Sequence, residues 1–594
     1  MMKVLLLHNE DVPWRGPWAS IDWDLIIDLG FAAPSTYKMW SERCGTPVRS
    51  IHEFAGDGQS YASIPGILDL GRDRLVDRTG LDWWEIIGVV KYHELRAFYL
   101  LKCLTRELGS NAVYHATRGN SYTELLSGLM GRPIPSFQAV PGFLERWTRS
   151  LRSAVKLSPA NAFEIACDKW DPDYSVRRHF AKAQRASVDA PTVLLPSAYS
   201  NVSRLLLQYA ADLPEKQFLL AATRRSGACA ELPGNVRQTF LSSYAQPADV
   251  LHGEEKDLRS RWAWFEKTVL TETEELRASR AAGVWQDFPV HLQTGLRLRD
   301  AWHTLLKEEP ITAVLCADDL NYYTRIPLIL AARMGLNAVY CYHGALDGGL
   351  LFKKAYAGSY LVKTEMEKEY LLRASKIDPE LVEMGAPASF VSRLRRDRQE
   401  CGRDIVFFSQ KYEVMGGRTA EIYRDVMPNV CALATGTGRR VMVKLHPFEN
   451  VRDRERVLRS VLSDQQMSVV KITAEPLLEQ VLTDAWCGIG VDSSVASECR
   501  SAGVPYFLCG WLDHSGFGYS RQLARFGMGR MLDSASELDA IPEMIADWNA
   551  WAQPPQVSEP IDSRVLERML LNRKNRWRLY PSSLDLLQMW TRTK

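Results

Sequence analysis

The sequence contains no Cys-x-x-Cys pair, no His-x-x-x-His pair and no GxxxxGK[ST] loop. A paired-cysteine zinc site, a zinc-protease helix and a P-loop are therefore excluded as organising motifs. No window approaches 18 consecutive apolar residues, which argues against a transmembrane helix. An excess of one charge is lacking too. Lys+Arg is 73 against Asp+Glu 71, a net charge of +2, so nothing draws the chain as a whole to nucleic acid. The 11 cysteines are odd in number and scattered singly, several of them (Cys316, Cys341, Cys487, Cys509) inside apolar runs. That usage predicts buried, reduced thiols in a cytoplasmic protein. The N-terminus, MMKVLLLHNEDVPW, turns acidic too soon for a signal peptide and reads as a first buried strand. The 18 tryptophans either line a sugar-binding cleft or fill a core.

What is present is a recurring unit: a short apolar strand, a polar or glycine turn, then a helical stretch. Strands are predicted at 3–8, 24–29, 111–116, 192–196, 217–222, 311–317, 337–342, 404–409, 440–445, 468–472, 486–491 and 505–509. Such alternation predicts an α/β protein, with doubly wound parallel sheets covered by helices on both faces. The charged stretch SRLRRDRQECGR at 392–403 is the best boundary. It divides an N-terminal Rossmann-like part with helical insertions (1–395) from a C-terminal one (401–560). Residues 252–308 predict long helices, and 140–190 resist assignment. Pro554, Pro555 and Pro560 precede a basic, aromatic tail at 561–594 that carries Trp577, Tyr580 and Trp590. That tail either lies on an anionic membrane surface or packs back across the domains.

In open parallel sheets, ligands bind beyond the carboxyl ends of the strands. Four strand ends carry polar clusters. Asp318 and Asp319 follow 311–317; they either act as base or nucleophile, or cap the next helix. Asn321, Tyr323 and Arg325 stand nearby. His343 leaves the strand 337–342 beside Gly344 and suits proton transfer or phosphate contact. Lys444, His446 and Pro447 close 440–445, where Pro447 ends the ladder and turns His446 outward. Asp492, Ser493 and Ser494 precede a helix whose free N–H groups favour an anion, with Glu498 one turn in; plain capping is the alternative. The weaker signals are DPD at 171–173 as a metal-binding mimic and His514 as a cleft residue. ATGTGRR at 434–440 precedes a strand and so is no dinucleotide fingerprint.

The order CYHG, EMGAP, KLHP, then DSSVASE with AGVP resembles two groups. These are the bacterial sialyltransferase and Kdo-transferase-like enzymes of the GT-B fold, with their HP and SS motifs, and the CDP-glycerol glycerophosphotransferases. The likeness is motif-level and covers roughly 310–510. It implies two Rossmann-like domains facing across a cleft, the first on the acceptor side and the second holding a nucleotide donor. It further implies that His446 contacts the donor phosphate, that Ser493 and Ser494 hold the same phosphate, and that Glu498 binds the ribose. His343 would serve as a base, and Asp318 or Asp319 would activate the acceptor. The chain has Asp-Asp-Leu where the sialyltransferase pattern has a carboxylate pair before Gly. The function implied is transfer of an acidic sugar from a CMP-linked donor to a bacterial surface glycan of capsule or lipopolysaccharide type. No metal and no cofactor beyond that co-substrate are implied. A CDP-polyol phosphate transferase, a nucleotide-sugar epimerase and a non-catalytic nucleotide-binding partner remain as alternatives. Partners would be the nucleotide sugar and a glycan or lipid-linked glycan acceptor, met in the cytoplasm or at the inner face of the plasma membrane.

Overall fold

The computed structural model describes residues 1–9, 11–55, 66–138, 190–246, 248–343, 357–374, 377–388, 402–412, 417–446, 449–474, 478–513, 519–548 and 560–571. The DPD stretch, His514, Pro447 and most of the expected boundary at 392–403 fall outside them.

The strands form three all-parallel sheets. Sheet 1 holds β1 (Met2–Leu7), β2 (Leu25–Asp28), β3 (Val48–Ser50), β4 (Ala112–Arg118) and β5 (Ser136–Gln138), ordered β3-β2-β1-β4-β5. Sheet 2 holds β6 (Thr192–Ser197), β7 (Gln217–Ala222), β8 (Val236–Phe240), β9 (Ile311–Cys316), β10 (Asn337–Cys341), β11 (Ser359–Val362) and β12 (Val382–Met384). Their order is β12-β11-β10-β9-β6-β7-β8. Sheet 3 holds β13 (Asp404–Phe408), β14 (Arg440–Lys444), β15 (Val470–Thr473), β16 (Ala485–Gly490), β17 (Tyr506–Cys509) and β18 (Arg530–Leu532), ordered β15-β14-β13-β16-β17-β18. The expected doubly wound α/β architecture is present. The stretch 1–395, read from sequence as one Rossmann-like part, carries two of the three sheets.

Every predicted strand is found, most of them as apolar runs buried on both faces; β15, an edge strand with no buried residue, is the exception. The strands absent from the sequence reading are β3, β5, β8, β11, β12 and β18. All but β11 are sheet edges. Edge strands are short and half-solvated, so they carry no apolar run to read.

Chain order reverses beside β1, β6 and β13. The topological switch points therefore lie between β1 and β4, between β6 and β9, and between β13 and β16. The helices His252–Thr268, Glu274–Ala281 and Phe288–Glu308 fill the expected helical stretch. With Trp83–Val90 and Tyr92–Leu108 they share one apolar core that joins sheets 1 and 2. Most tryptophans with a resolved environment sit in this core or in the smaller one of sheet 1. The Trp262 ring stacks on Phe288 at 3.7 Å, and the Trp84 ring lies 4.2 Å from Trp285. The helix Ser563–Leu571 returns to sheet 2, where Leu566, Met569 and Leu570 are buried and Asn337 donates to the Met569 carbonyl. The described start of the basic tail thus packs back onto the protein. Among the described residues, no helix is long and apolar enough to cross a membrane.

Candidate functional site

Sheet 3 gathers cations at its strand ends. Lys444 closes β14 and donates to the Leu445 carbonyl at 2.6 Å. His446 follows it. Burial, with Lys444 and Lys411, pushes its pKa below the usual value against the pull of Glu449. Lys411 lies just past β13. Glu449 braces this edge: it accepts from the His446 N–H at 2.7 Å, the Ser409 hydroxyl at 2.8 Å and Arg454 at 2.5 Å. One buried carboxylate therefore ties the ends of β13 and β14 to the helix Val451–Val461. On the other side of the switch point, Asp492 is buried after β16, and Ser493 Oγ accepts from the Val495 N–H at 3.4 Å. Gly490, at the end of β16, leaves room for the Tyr506 side chain of β17, since a Cβ there would meet the Tyr506 hydroxyl at 2.1 Å. Ser494 is the N-cap residue of Val495–Ser501 but makes no side-chain cap bond. This helix is seven residues long, so its dipole is a weak attractor for an anion.

Glu498 lies one turn into this helix. It accepts from the Ser497 hydroxyl at 2.9 Å. Burial raises its pKa, while Lys363, just past β11, and Arg204, in the helix Ser200–Ala211, pull it down. The strand ends of sheets 2 and 3 therefore lie within electrostatic range of each other.

At sheet 2 the two aspartates separate. Asp319 accepts from Arg325 at 3.1 Å, and Arg325 also donates to Glu85. All three side chains are buried, so Asp319 ties the helix Tyr322–Arg333 to Trp83–Val90 through Arg325. Asp318 accepts from the Leu320 N–H at 3.0 Å and from the Asn321 amide. The N-cap of the helix is Asn321, whose side chain accepts from the Thr324 N–H. Asp318 thus sits at the switch point between β6 and β9 without capping. His343 packs beside it: Nδ1 lies 2.5 Å from the Ala317 carbonyl. In the neutral ring Nδ1 carries the proton toward that carbonyl, leaving the Nε2 lone pair able to accept one.

Three residues here escaped the sequence reading. Tyr199 lies two residues past β6, and Arg224 two past β7. Arg224 Nη1 donates to the Tyr199 hydroxyl at 3.3 Å, and its guanidinium stands 4.1 Å from the Tyr323 ring centroid. Tyr322 packs against Tyr323 at 4.9 Å. The strand-end rule, applied to β6 and β7 as it was to β9 and β10, would have found Tyr199 and Arg224.

No protein-family model matches the chain, and no curated protein matches it. Solved structures with a partial likeness include the UDP-GlcNAc 2-epimerase from Neisseria meningitidis bound to UDP-GlcNAc, at 11% identity and a TM-score of 0.40 over 64% of this chain and 98% of that one. A glycosyltransferase from Rickettsia africae aligns at 9% identity and a TM-score of 0.37, over 68% and 100%. The spinosyn rhamnosyltransferase aligns at 15% and 0.38, over 64% and 99%.

Proposed function

We propose that the chain is a nucleotide-sugar-dependent glycosyltransferase whose donor binds the strand ends of sheet 3 and whose acceptor binds those of sheet 2. The observation that carries this reading is the pairing of unlike edges. Lys411 and Lys444 make one edge cationic and His446 can gain a proton there when a phosphate binds, while Asp318 and His343 give the facing edge proton acceptors. In transfer, an acceptor hydroxyl attacks the anomeric carbon and the bond from that carbon to the phosphate oxygen breaks. The hydroxyl proton passes to His343 Nε2 or to Asp318. Lys411, Lys444 and His446 offset the charge that grows on the departing phosphate. Because the chain supplies those cations, we expect transfer to persist in EDTA. The finer reading is a CMP-linked acidic sugar of Kdo or sialic-acid type, moved to a bacterial surface glycan. It rests on the CYHG, KLHP and DSSVASE motifs.

The test is a thermal-shift panel with CMP, CDP, UDP, GDP and ADP at millimolar concentration. A ligand at about 100-fold excess over its Kd adds about 2.7 kcal/mol of stability. A shift confined to cytidine nucleotides supports the CMP-sugar donor. A shift with UDP alone keeps the site and discards that donor, and no shift with any nucleotide removes the reading.

A further inference from the structure

The guanidinium of Arg224 differs in its surroundings from four others withdrawn from solvent in this chain. Arg299 holds Asp77 and Glu254; Arg325 holds Glu85 and Asp319; Arg418 holds Asp28; Arg454 holds Glu449. Each follows the rule that a buried charge is paired. Arg224 is half-buried and, among the described residues, forms no ion pair with a carboxylate. Its contacts are the Tyr199 hydroxyl, the Tyr323 side chain and the faces of both rings. Asp318 is close enough to raise the Tyr199 pKa, but its oxygens already accept from Leu320 and Asn321.

The local backbone holds this arrangement open. The Thr223 N–H donates to the Ser197 carbonyl at 2.9 Å and the Ser226 hydroxyl to the Ala198 carbonyl at 2.8 Å, tying the loop after β7 to the end of β6. Gly227 makes that contact possible, since a Cβ would stand 2.6 Å from the Ser197 oxygen. The Trp302 indole N–H donates to the Tyr323 carbonyl at 2.9 Å and fixes that ring's backbone. The result is a cation with a planar donor fork, flanked by tyrosine faces and hydroxyls, at the switch point of sheet 2. Aromatic faces suit the C–H faces of a sugar ring, and the fork suits a carboxylate or phosphate.

We propose that Tyr199, Arg224, Tyr322 and Tyr323 form a subsite for a sugar bearing an anionic group, a uronate-type carboxylate or a phosphate, which supplies the counter-charge Arg224 lacks. The inference rests on reading sheet 2 as the acceptor side. It makes the acceptor an acidic or phosphorylated glycan.

The experiment uses the full chain and three probes, read by titration calorimetry: methyl galactoside, methyl galactosiduronate and galactose 6-phosphate. Wild type should bind at least one anionic sugar ten-fold or more tighter than methyl galactoside, and which one identifies the anion. Arg224→Met should erase that preference. Arg224→Lys, which keeps the charge and loses the fork, should retain part of it. Nucleotide shifts measured on the same proteins separate the two readings. Intact nucleotide binding with no anionic preference in wild type overturns this subsite alone, and so does a preference that survives Arg224→Met. Loss of nucleotide binding in wild type overturns the donor reading instead. If Arg224→Met does not fold, Tyr323→Ala replaces it and should weaken all three sugars together; unchanged affinities in that variant also overturn the subsite.

Discussion

Sheets 1 and 2 present equivalent switch points at their carboxyl edges, and the two are filled differently. Between β1 and β4, Asp11 accepts from Thr117 and, at 2.5 Å, from Arg118. Arg418, arriving from the N-terminus of the sheet 3 helix Thr419–Thr437, closes the remaining space. It donates to the carbonyls of Asp11 and His8 and to Asp28 at 3.0 Å, and it lies 4.4 Å from the Trp40 ring. The Ser35 hydroxyl reaches Asp425 at 2.9 Å beside it. Between β6 and β9, by contrast, Arg224 meets no carboxylate among the described residues. A ligand-binding topology thus becomes a domain contact when a side chain of the same chain supplies the charge. It stays available when none does. Two lessons follow for sheet 1: it is bolted to sheet 3 by a buried ion pair, and it is welded to sheet 2 by a shared apolar core.

The sharpest way to break this contrast is Arg418→Met. Removing it strands Asp28 in a buried site, a loss of about 3–5 kcal/mol. Denaturant unfolding should show that loss, whereas Arg224→Met should cost under about 1 kcal/mol. Equal costs would mean that the two switch points are alike.

A second comparison lies within one strand end. Asp319→Asn should destabilise the chain by about 2–3 kcal/mol, because it breaks one arm of the buried Glu85–Arg325–Asp319 group. Asp318→Asn should cost about 1 kcal/mol or less yet lower transfer by about 100-fold or more. Steady-state rates beside unfolding curves check both.

At sheet 3, His446→Ala should weaken nucleotide binding about ten-fold, with stability nearly unchanged. The depressed pKa of His446 leaves the ring neutral without ligand, and a bound phosphate would draw a proton onto it. Nucleotide affinity should therefore rise as pH falls toward 6. Calorimetry in buffers of different ionisation enthalpy detects the proton uptake.

A pH-dependent effect belongs to Glu421, which stands 3.6 Å from Arg418. Burial, reinforced by Asp28, lifts its pKa from 4.5 to about 8 despite the attraction of Arg418. The folded chain keeps this proton where the unfolded chain has released it. The stabilisation is complete below about pH 4.5 and is lost as pH rises through about 8. Glu421→Gln should flatten that part of the stability profile, as thermal melts across pH 5–9 would show.

Much of the fold was legible because parallel strands buried on both faces announce themselves as apolar runs. The runs at 192–197, 217–222 and 404–408 needed no tertiary knowledge. The edge strands β3, β5, β8, β12 and β18 did, since their pairing lies on one side only and their composition is mixed. Of the candidate site, Asp318, His343, Lys444 and His446 were visible as polar residues at strand ends, and Glu498 as a carboxylate one turn into the following helix. Their differences in role were not. Asp318 and Asp319 are chemically identical neighbours in the sequence. Only the approach of Arg325 and Glu85, the latter 240 positions from Arg325, commits one of them to structure.

The sequence by itself determined the class of the protein: alternating apolar strands and amphipathic helices, whose periods fix local structure and force parallel sheets. The tertiary structure decided how many sheets there are, which strand ends face each other and which charges are already satisfied. The physical reason is range. Periodicity acts over a few residues, whereas the pairing of a buried charge depends on whichever group the fold brings within about 4 Å, however distant in the chain.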